Sequence, residues 1–236
     1  MAATTHAPFA LVATDIILLP TPSSVKVQSY RDLFRKLHED HSFCQVAFGD
    51  GWPARPWSNE EIEKLLQADA THRWGVRDMG DFALGFLSEE QQALVHKESS
   101  GSKNLRTVQE EIKIVDGTVF EKLFKANNGK LLEEISWAGY TCVRDARDSD
   151  DQPDWREMIE VRYGLSPEFR GRGVITRAQT ITMRWSVEER GVKRFIGEAQ
   201  KHNPKSGRVL ERIGLHKTDT DYFHDENAEE WASDLQ

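Results

Sequence analysis

Two glycines alternate with two arginines in Arg170-Gly171-Arg172-Gly173, directly after an apolar run and directly before a helical pattern. That spacing suits an anion. Glycine has no Cβ to hold a ligand away from the backbone, and a helix opening at Val174 and Ile175 leaves its first amides unpaired and pointing outward. A diphosphate matches both the donors and the dipole of such a helix start. Beside those amides Arg170 and Arg172 read as phosphate contacts, although the same side chains also serve as ordinary solvated charges. Further on, Asn203-Pro-Lys-Ser206 opens a short amphipathic helix, Lys205 to Ile213, which Gly214 ends.

Together the two segments resemble the GNAT acyltransferases. The R/Q-x-x-G-x-G/A loop that holds an acyl-CoA diphosphate in that superfamily is matched from Arg170 to Ile175, with Ile175 standing where glycine or alanine is usual. Glu160-Val-Arg-Tyr163-Gly-Leu165-Ser-Pro-Glu168 is similar to the E-I-G-Y-x-L-x-P-E strand of the RimJ/RimL-like branch, whose members acetylate protein N-termini or small amines. Arg162 replaces the glycine of that pattern. The run from Asn203 to Leu215 resembles the branch's N-x-x-S-x-R-V-L-E-K-x-G-F, with Leu215 in place of phenylalanine. The clear matches cover roughly residues 155 to 223.

The resemblance implies an α/β GNAT fold, with a mixed, mostly antiparallel central sheet flanked by helices and splayed where acetyl-CoA enters. It implies acetyl transfer straight from acetyl-CoA, as co-substrate, to a primary amine, without a covalent enzyme intermediate. The cofactor contacts fall on Tyr163, Leu165, Arg170, Gly171, Arg172, Gly173, Val174, Ile175, Asn203 and Ser206. Around Tyr163 to Leu165 the backbone is expected to leave its neighbouring strand and offer amides to the pantetheine arm and to the oxygen that gains charge. Ile175 brings a branched side chain close to the diphosphate.

Glu160 occupies the family's carboxylate position and is placed to take the amine's proton. Its alternative is a strand carboxylate paired with Arg162 or another base, in which case Glu157 or Glu198 substitutes. Many relatives protonate the sulfur with a tyrosine on the last helix, but that position is Leu210 here. Ser206 takes the role, or is a first-turn helix residue; Asn203 bonds the pantetheine arm. The expected acceptor is a small-molecule amine. A protein N-terminus or lysine is the first alternative, and an acyl-CoA-binding regulator, its turnover removed by the departures at Arg162 and Ile175, is the second. Trp52, Trp57 and Arg162 are the candidate acceptor contacts; the aromatic loop Phe48 to Trp57 either lines that pocket or merely covers the core.

Other chemistries find no support. There is no G-x-x-x-x-G-K-[ST] run, and the histidines lack metal-ligand spacing, so no metal is expected; His202 and His224 read as surface or packing residues. The chain of 236 residues can bury one sizeable core, and its formal charge of −8 argues against nucleic acid and for a cationic acceptor. Cys44 and Cys142 sit among apolar residues and read as buried reduced thiols. The most apolar N-terminal run, Ala10 to Leu19, is far too short to span a bilayer. A soluble, cytoplasmic protein without nucleic-acid or membrane partners is expected.

The elements that must position these residues follow from periodicity. Leu11 to Leu19 reads as a first strand, and Tyr30, Leu33, Phe34 and Leu37 as the buried stripe of a helix from about Ser29. Ser58-Asn-Glu-Glu61 is a capping box before a second helix. His72 to Val76 and Phe82 to Leu87 read as strands joined by a hairpin at Asp78 to Gly80. Residues 89 to 130 look like an insertion, with one helix at Val119 to Phe124 and a mobile stretch at 97 to 105. Trp137 to Val143 is a core strand and Arg144 to Asp154 a polar loop. After the long helix, which ends near Gly191, come a strand at Arg194 to Ala199 and a hairpin arm at Leu215 to Phe223. The acidic tail, 225 to 236, is expected to form a loose helical turn around Trp231. All of this reads as one domain, 1 to 236.

Overall fold

The computed structural model describes residues 7–48 and 54–235. Among them, ten strands form one sheet: β1 (Phe9–Ala13), β2 (Ile16–Pro20), β3 (Asp81–Phe86), β4 (Lys103–Arg106), β5 (Glu111–Asp116), β6 (Ser136–Asp145), β7 (Ile159–Leu165), β8 (Phe195–Gln200), β9 (His216–Thr218) and β10 (Ala228–Ala232). Their order is β4-β5-β1-β2-β3-β6-β7-β8-β10-β9. Every neighbouring pair is antiparallel except β7 with β8, which run parallel.

The helices are α1 (Thr21–Ser24), α2 (Gln28–Glu39), α3 (His41–Phe48), α4 (Asn59–Asp69), α5 (Gly75–Arg77), α6 (Glu89–Glu98), α7 (Gly117–Phe120), α8 (Ala126–Glu133), α9 (Val174–Arg190) and α10 (Pro204–Arg212). They cover both faces of the sheet. Strand alternation sends Leu11, Phe82, Val161 and Tyr163 to the face under α9 and α10, where they meet Ala178, Trp185 and Leu210. Ala10, Ile17 and Tyr140 go to the opposite face, under Tyr30 and Phe34 of α2 and Ile62 of α4. The capping box of α4 is formed as expected, Ser58 accepting from the Glu61 amide and Glu61 from the Ser58 amide. None of the described helices is long and apolar enough to cross a membrane.

Four expectations are corrected. Leu11 to Leu19 is two strands, not one: Thr14 takes a left-handed backbone (φ +50°) and the chain turns back, pairing Leu11 with Leu18. Because every residue of both strands is buried, the turn interrupts no polar alternation and the run reads as continuous. His72 to Val76 is helical, a π turn followed by α5, fixed by wholly buried Trp74 and the i,i+4 pair Arg73–Asp69; Asp78 to Gly80 therefore joins a helix to β3. Residues 89 to 130 carry helices and also the β4–β5 hairpin, which extends the sheet beyond β1. Within the stretch expected to be mobile, Ser99 is buried and donates to the Val95 carbonyl. Finally, Trp231 lies on β10, between β8 and β9, not on a helical turn; the expected arm before it narrows to β9.

Candidate active site

The parallel pair β7–β8 holds together at only two positions, Ile159 with Phe195 and Glu160 with Ile196. Beyond them β7 runs on to Leu165 paired with β6, while β8 runs on to Gln200 paired with β10. The sheet is therefore splayed, and among the described residues the β7 edge from Val161 to Leu165 has no strand on its β8 side. Gly197 sits at the root of the splay. A Cβ there would come within 3.2 Å of both Leu210 Cδ2 and Val161 Cγ2, so its absence lets α10 seat Leu210, 1% exposed, against β7 and β8. Leu210 is packing and carries no polar group to the cleft.

The glycine loop lies between the open end of β7 and α9. Gly171 (φ +78°) and Gly173 (φ +72°) both take the left-handed backbone, and a Cβ on either would meet nothing within 4 Å. That leaves an open cradle beside the start of α9, where Gly173 is the N-cap and no side chain caps the helix. Val174 and Ile175 bury their side chains in the core. The branched side chain of Ile175 is packed in the core, and its amide stays in the first turn. Arg170 Nε donates to the Leu165 carbonyl at 3.2 Å, tying the loop to the end of β7, and Arg172 is exposed. A cavity of about 470 Å³ adjoins the helix start, lined in part by Gly173, Thr176, Arg177 and Arg212. Arg177 is neutralised there by Asp15 at 2.8 Å and Glu110 at 2.9 Å.

At the other wall of the splay, Asn203 caps α10 by accepting from the Ser206 amide at 3.3 Å. Ser206 Oγ lies 2.8 Å from Tyr163 Oη, and the phenol also reaches the Ser206 carbonyl at 3.2 Å. Burial pushes the Tyr163 phenol up to about 12, against the opposing hydrogen bond of Ser206. Sequence reading had a use only for the backbone of Tyr163. The signal was present, since alternation along β7 places Tyr163 on the α10 face with Val161.

The carboxylates lie on the opposite face of the sheet. Glu160 is 2% exposed; Arg144 Nε donates to its Oε2 at 2.5 Å, and Arg162 Nε lies 3.6 Å from its Oε1. Arg162 also donates to the Ala47 carbonyl of α3, at 3.3 Å. The polarity of the stretch from Arg144 onward reads as a loop and hides Arg144, which lies on β6 directly opposite Glu160. Glu198, half-buried on β8 two residues past the last β7–β8 pair, has its carboxyl pushed up by burial and then by the charge of Glu160. Glu157 lies before β7, away from the open end, paired with Lys193 at 3.2 Å. Trp57 stacks beneath the Arg55 guanidinium, 3.8 Å from its ring centre; Trp52 lies outside the described residues.

Comparison with known proteins agrees with this layout. The family model described as an acetyltransferase (GNAT) domain matches residues 55–216. A search of the curated proteins returned no match. Among solved structures, the ribosomal alpha-N-protein acetyltransferase RimL in complex with coenzyme A is similar at TM-score 0.57 and 14% identity, covering 95% of this chain and 96% of that one. A GNAT-family acetyltransferase from Bordetella pertussis follows at 0.54 and 13%, covering 95% and 98%. Spermidine N-acetyltransferase from Vibrio cholerae, solved with CoA and spermine, is similar at 0.52 and 11%, covering 97% and 96%. At these identities the structural likeness is one of fold.

Proposed function

Because this chain belongs to the GNAT acetyltransferase family, we propose that it transfers the acetyl group of acetyl-CoA directly to the primary amine of a small cationic molecule. The observation that carries the reading is the separation of β7 from β8 after Glu160, beside the uncapped start of α9. Acetyl-CoA is the acyl donor of the family, and the residues here fit it. The amides of the α9 first turn and the Gly171–Gly173 cradle take the diphosphate, and the unpaired edge of β7 takes the pantetheine arm and the thioester oxygen as it gains charge.

The acceptor approaches from the carboxylate face. A lysine-like amine must shed a proton at a cost of about 4 kcal/mol at neutral pH, so a base matters. Glu160 and Glu198 divide the work. Glu160 is engaged by Arg144 and Arg162 and serves as the counter-charge of both guanidiniums. Glu198, with its raised carboxyl and partial exposure, is the better proton acceptor. Acidic groups continue outward from it: Glu230 lies opposite Glu198 on β10, and Asp225 accepts from Gln200 at 2.6 Å. With the net charge of −8, that surface favours a cation. A cytoplasmic setting fits the two buried free thiols, Cys44 and Cys142.

The test is thiol release from acetyl-CoA with a panel of polyamines, amino acids and N-terminal peptides. Turnover with small di- or polyamines is the expected result. Preference for peptides would transfer the acceptor to the protein class, and CoA binding without release by any amine would favour a non-catalytic regulator.

A further inference from the structure

We propose that Tyr163 is a positioning residue for the leaving sulfur: its phenol fixes the Ser206 hydroxyl as a hydrogen-bond donor to the CoA sulfur, and the thiolate departs as an anion. This inference rests on the acetyl-CoA reading above. Tyr163 and Ser206 belong to different walls of the splay, β7 and α10, and their oxygens meet at 2.8 Å where the strands have parted. Ser206 is held twice over, its amide by Asn203 Oδ1 and its hydroxyl by Tyr163. Leu210, where relatives carry a tyrosine, is packed against β7 and β8 and offers the sulfur nothing.

The proton chemistry decides what the pair does. With the phenol near 12 and a thiol near 8.5, proton transfer from Tyr163 to the departing thiolate runs uphill by more than a thousandfold in equilibrium constant. A serine hydroxyl is weaker still as an acid. Neither group is therefore the net proton donor. The ammonium first gives one proton through Glu198 to solvent; in the step the neutral nitrogen bonds to the carbonyl carbon, a second proton passes to Glu198, the carbon–sulfur bond breaks, and the electron pair stays on sulfur. The phenol's single hydrogen has two acceptors, the Ser206 carbonyl at 3.2 Å and the hydroxyl at 2.8 Å; in the step it goes to Ser206 Oγ, Ser206 turns its own hydrogen to the sulfur, and a hydroxyl that accepts one hydrogen bond is a stronger donor of another. The thiolate takes its proton later, from solvent.

The experiment reads the thiol itself, without an acceptor. The NMR shift of the CoA carbon bonded to sulfur is followed against pH in the wild type, Tyr163→Phe, Ser206→Ala and the double variant, each saturated with CoA. In the wild type the bound thiol should titrate about one unit below free CoA, the size expected of one hydrogen bond to a charged acceptor. Tyr163→Phe should lose most of that shift and Ser206→Ala all of it, with no further change in the double variant and with thermal unfolding of Tyr163→Phe close to wild type. Equal titration in all four proteins overturns the proposal, as does an additive loss in the double variant, which would make Tyr163 act independently of Ser206. Failure of the wild type to bind CoA would remove the acetyl-CoA reading and the pair's role together, whereas binding with an unshifted thiol removes the pair's role alone.

Discussion

Arg144 and Glu160 stand directly opposite each other in the β6–β7 register, with Arg144 Nε 2.5 Å from Glu160 Oε2. The pair sits at the root of the splay, at the last position where β7 and β8 pair, and Arg162, two residues further along β7, completes it. It holds the floor of the site by charge. Glu160→Gln should therefore lower stability by about 3 kcal/mol, because two guanidiniums lose their counter-charge in a buried setting. Urea unfolding measures this, and a loss under about 1 kcal/mol would show that the pair does not hold the floor.

The proposed proton acceptor, Glu198, makes a separate prediction with a defined sign. Glu198 must be ionised to take the amine's proton, so the rate falls as pH drops through its raised value. Glu160's charge is the second cause of that elevation. In Glu160→Gln the acidic limb of the pH–rate profile should therefore move to lower pH with the same amine, while Glu198→Gln should cut the rate roughly a hundredfold across the profile. A near-normal Glu198→Gln enzyme would return the base role to Glu160 or to a water chain.

At the loop proposed for the diphosphate, Gly173→Asp puts a carboxylate beside unpaired amides and a side chain at φ +72°. CoA affinity should drop at least roughly tenfold, about 1.4 kcal/mol. Calorimetry on the folded variant gives the number; unchanged affinity would remove the loop from the cofactor site.

Remote from the cleft, Asp69 is pushed up to about 7 by burial first and the charge of Asp81 second, against the pull of Arg73. The native state then keeps a proton that an unfolded aspartate, near 3.9, releases. Asp69's contribution to stability is thus present below pH 4 and is lost as pH rises to about 7. Relative to wild type, Asp69→Asn should be better tolerated at pH 8 than at pH 5. Chemical unfolding at the two values decides it, and the reverse order would contradict the assignment.

The half of the site proposed for the co-substrate was legible because local chemistry defines it: glycines with positive φ, an uncapped helix start, and Asn203 capping α10 are all short-range features. The carboxylate half depends on register. Arg144 is distant from Glu160 in sequence, and only the β6–β7 pairing brings them together. The same limit explains the sheet edges. Lys103–Arg106 is charged and mostly exposed, so its pairing with β5 leaves no apolar alternation to read, and Trp231 in an acidic tail gives no sign that a strand slots between β8 and β9. Tyr163 and Ser206 lie in separate segments, each read for its own motif, and their contact is a product of the splay.

The most direct measurement is acetyl transfer itself: acetyl-CoA and a panel of cationic amines incubated with the protein, CoA thiol release followed continuously and the amine products weighed by mass spectrometry. Stoichiometric thiol and a product heavier by one acetyl group are expected with at least one di- or polyamine, the rate falling at least roughly tenfold in Gly173→Asp at low acetyl-CoA and strongly in Glu198→Gln. Thiol release that is no faster than in buffer with every amine, from a protein that binds CoA, would contradict that expectation.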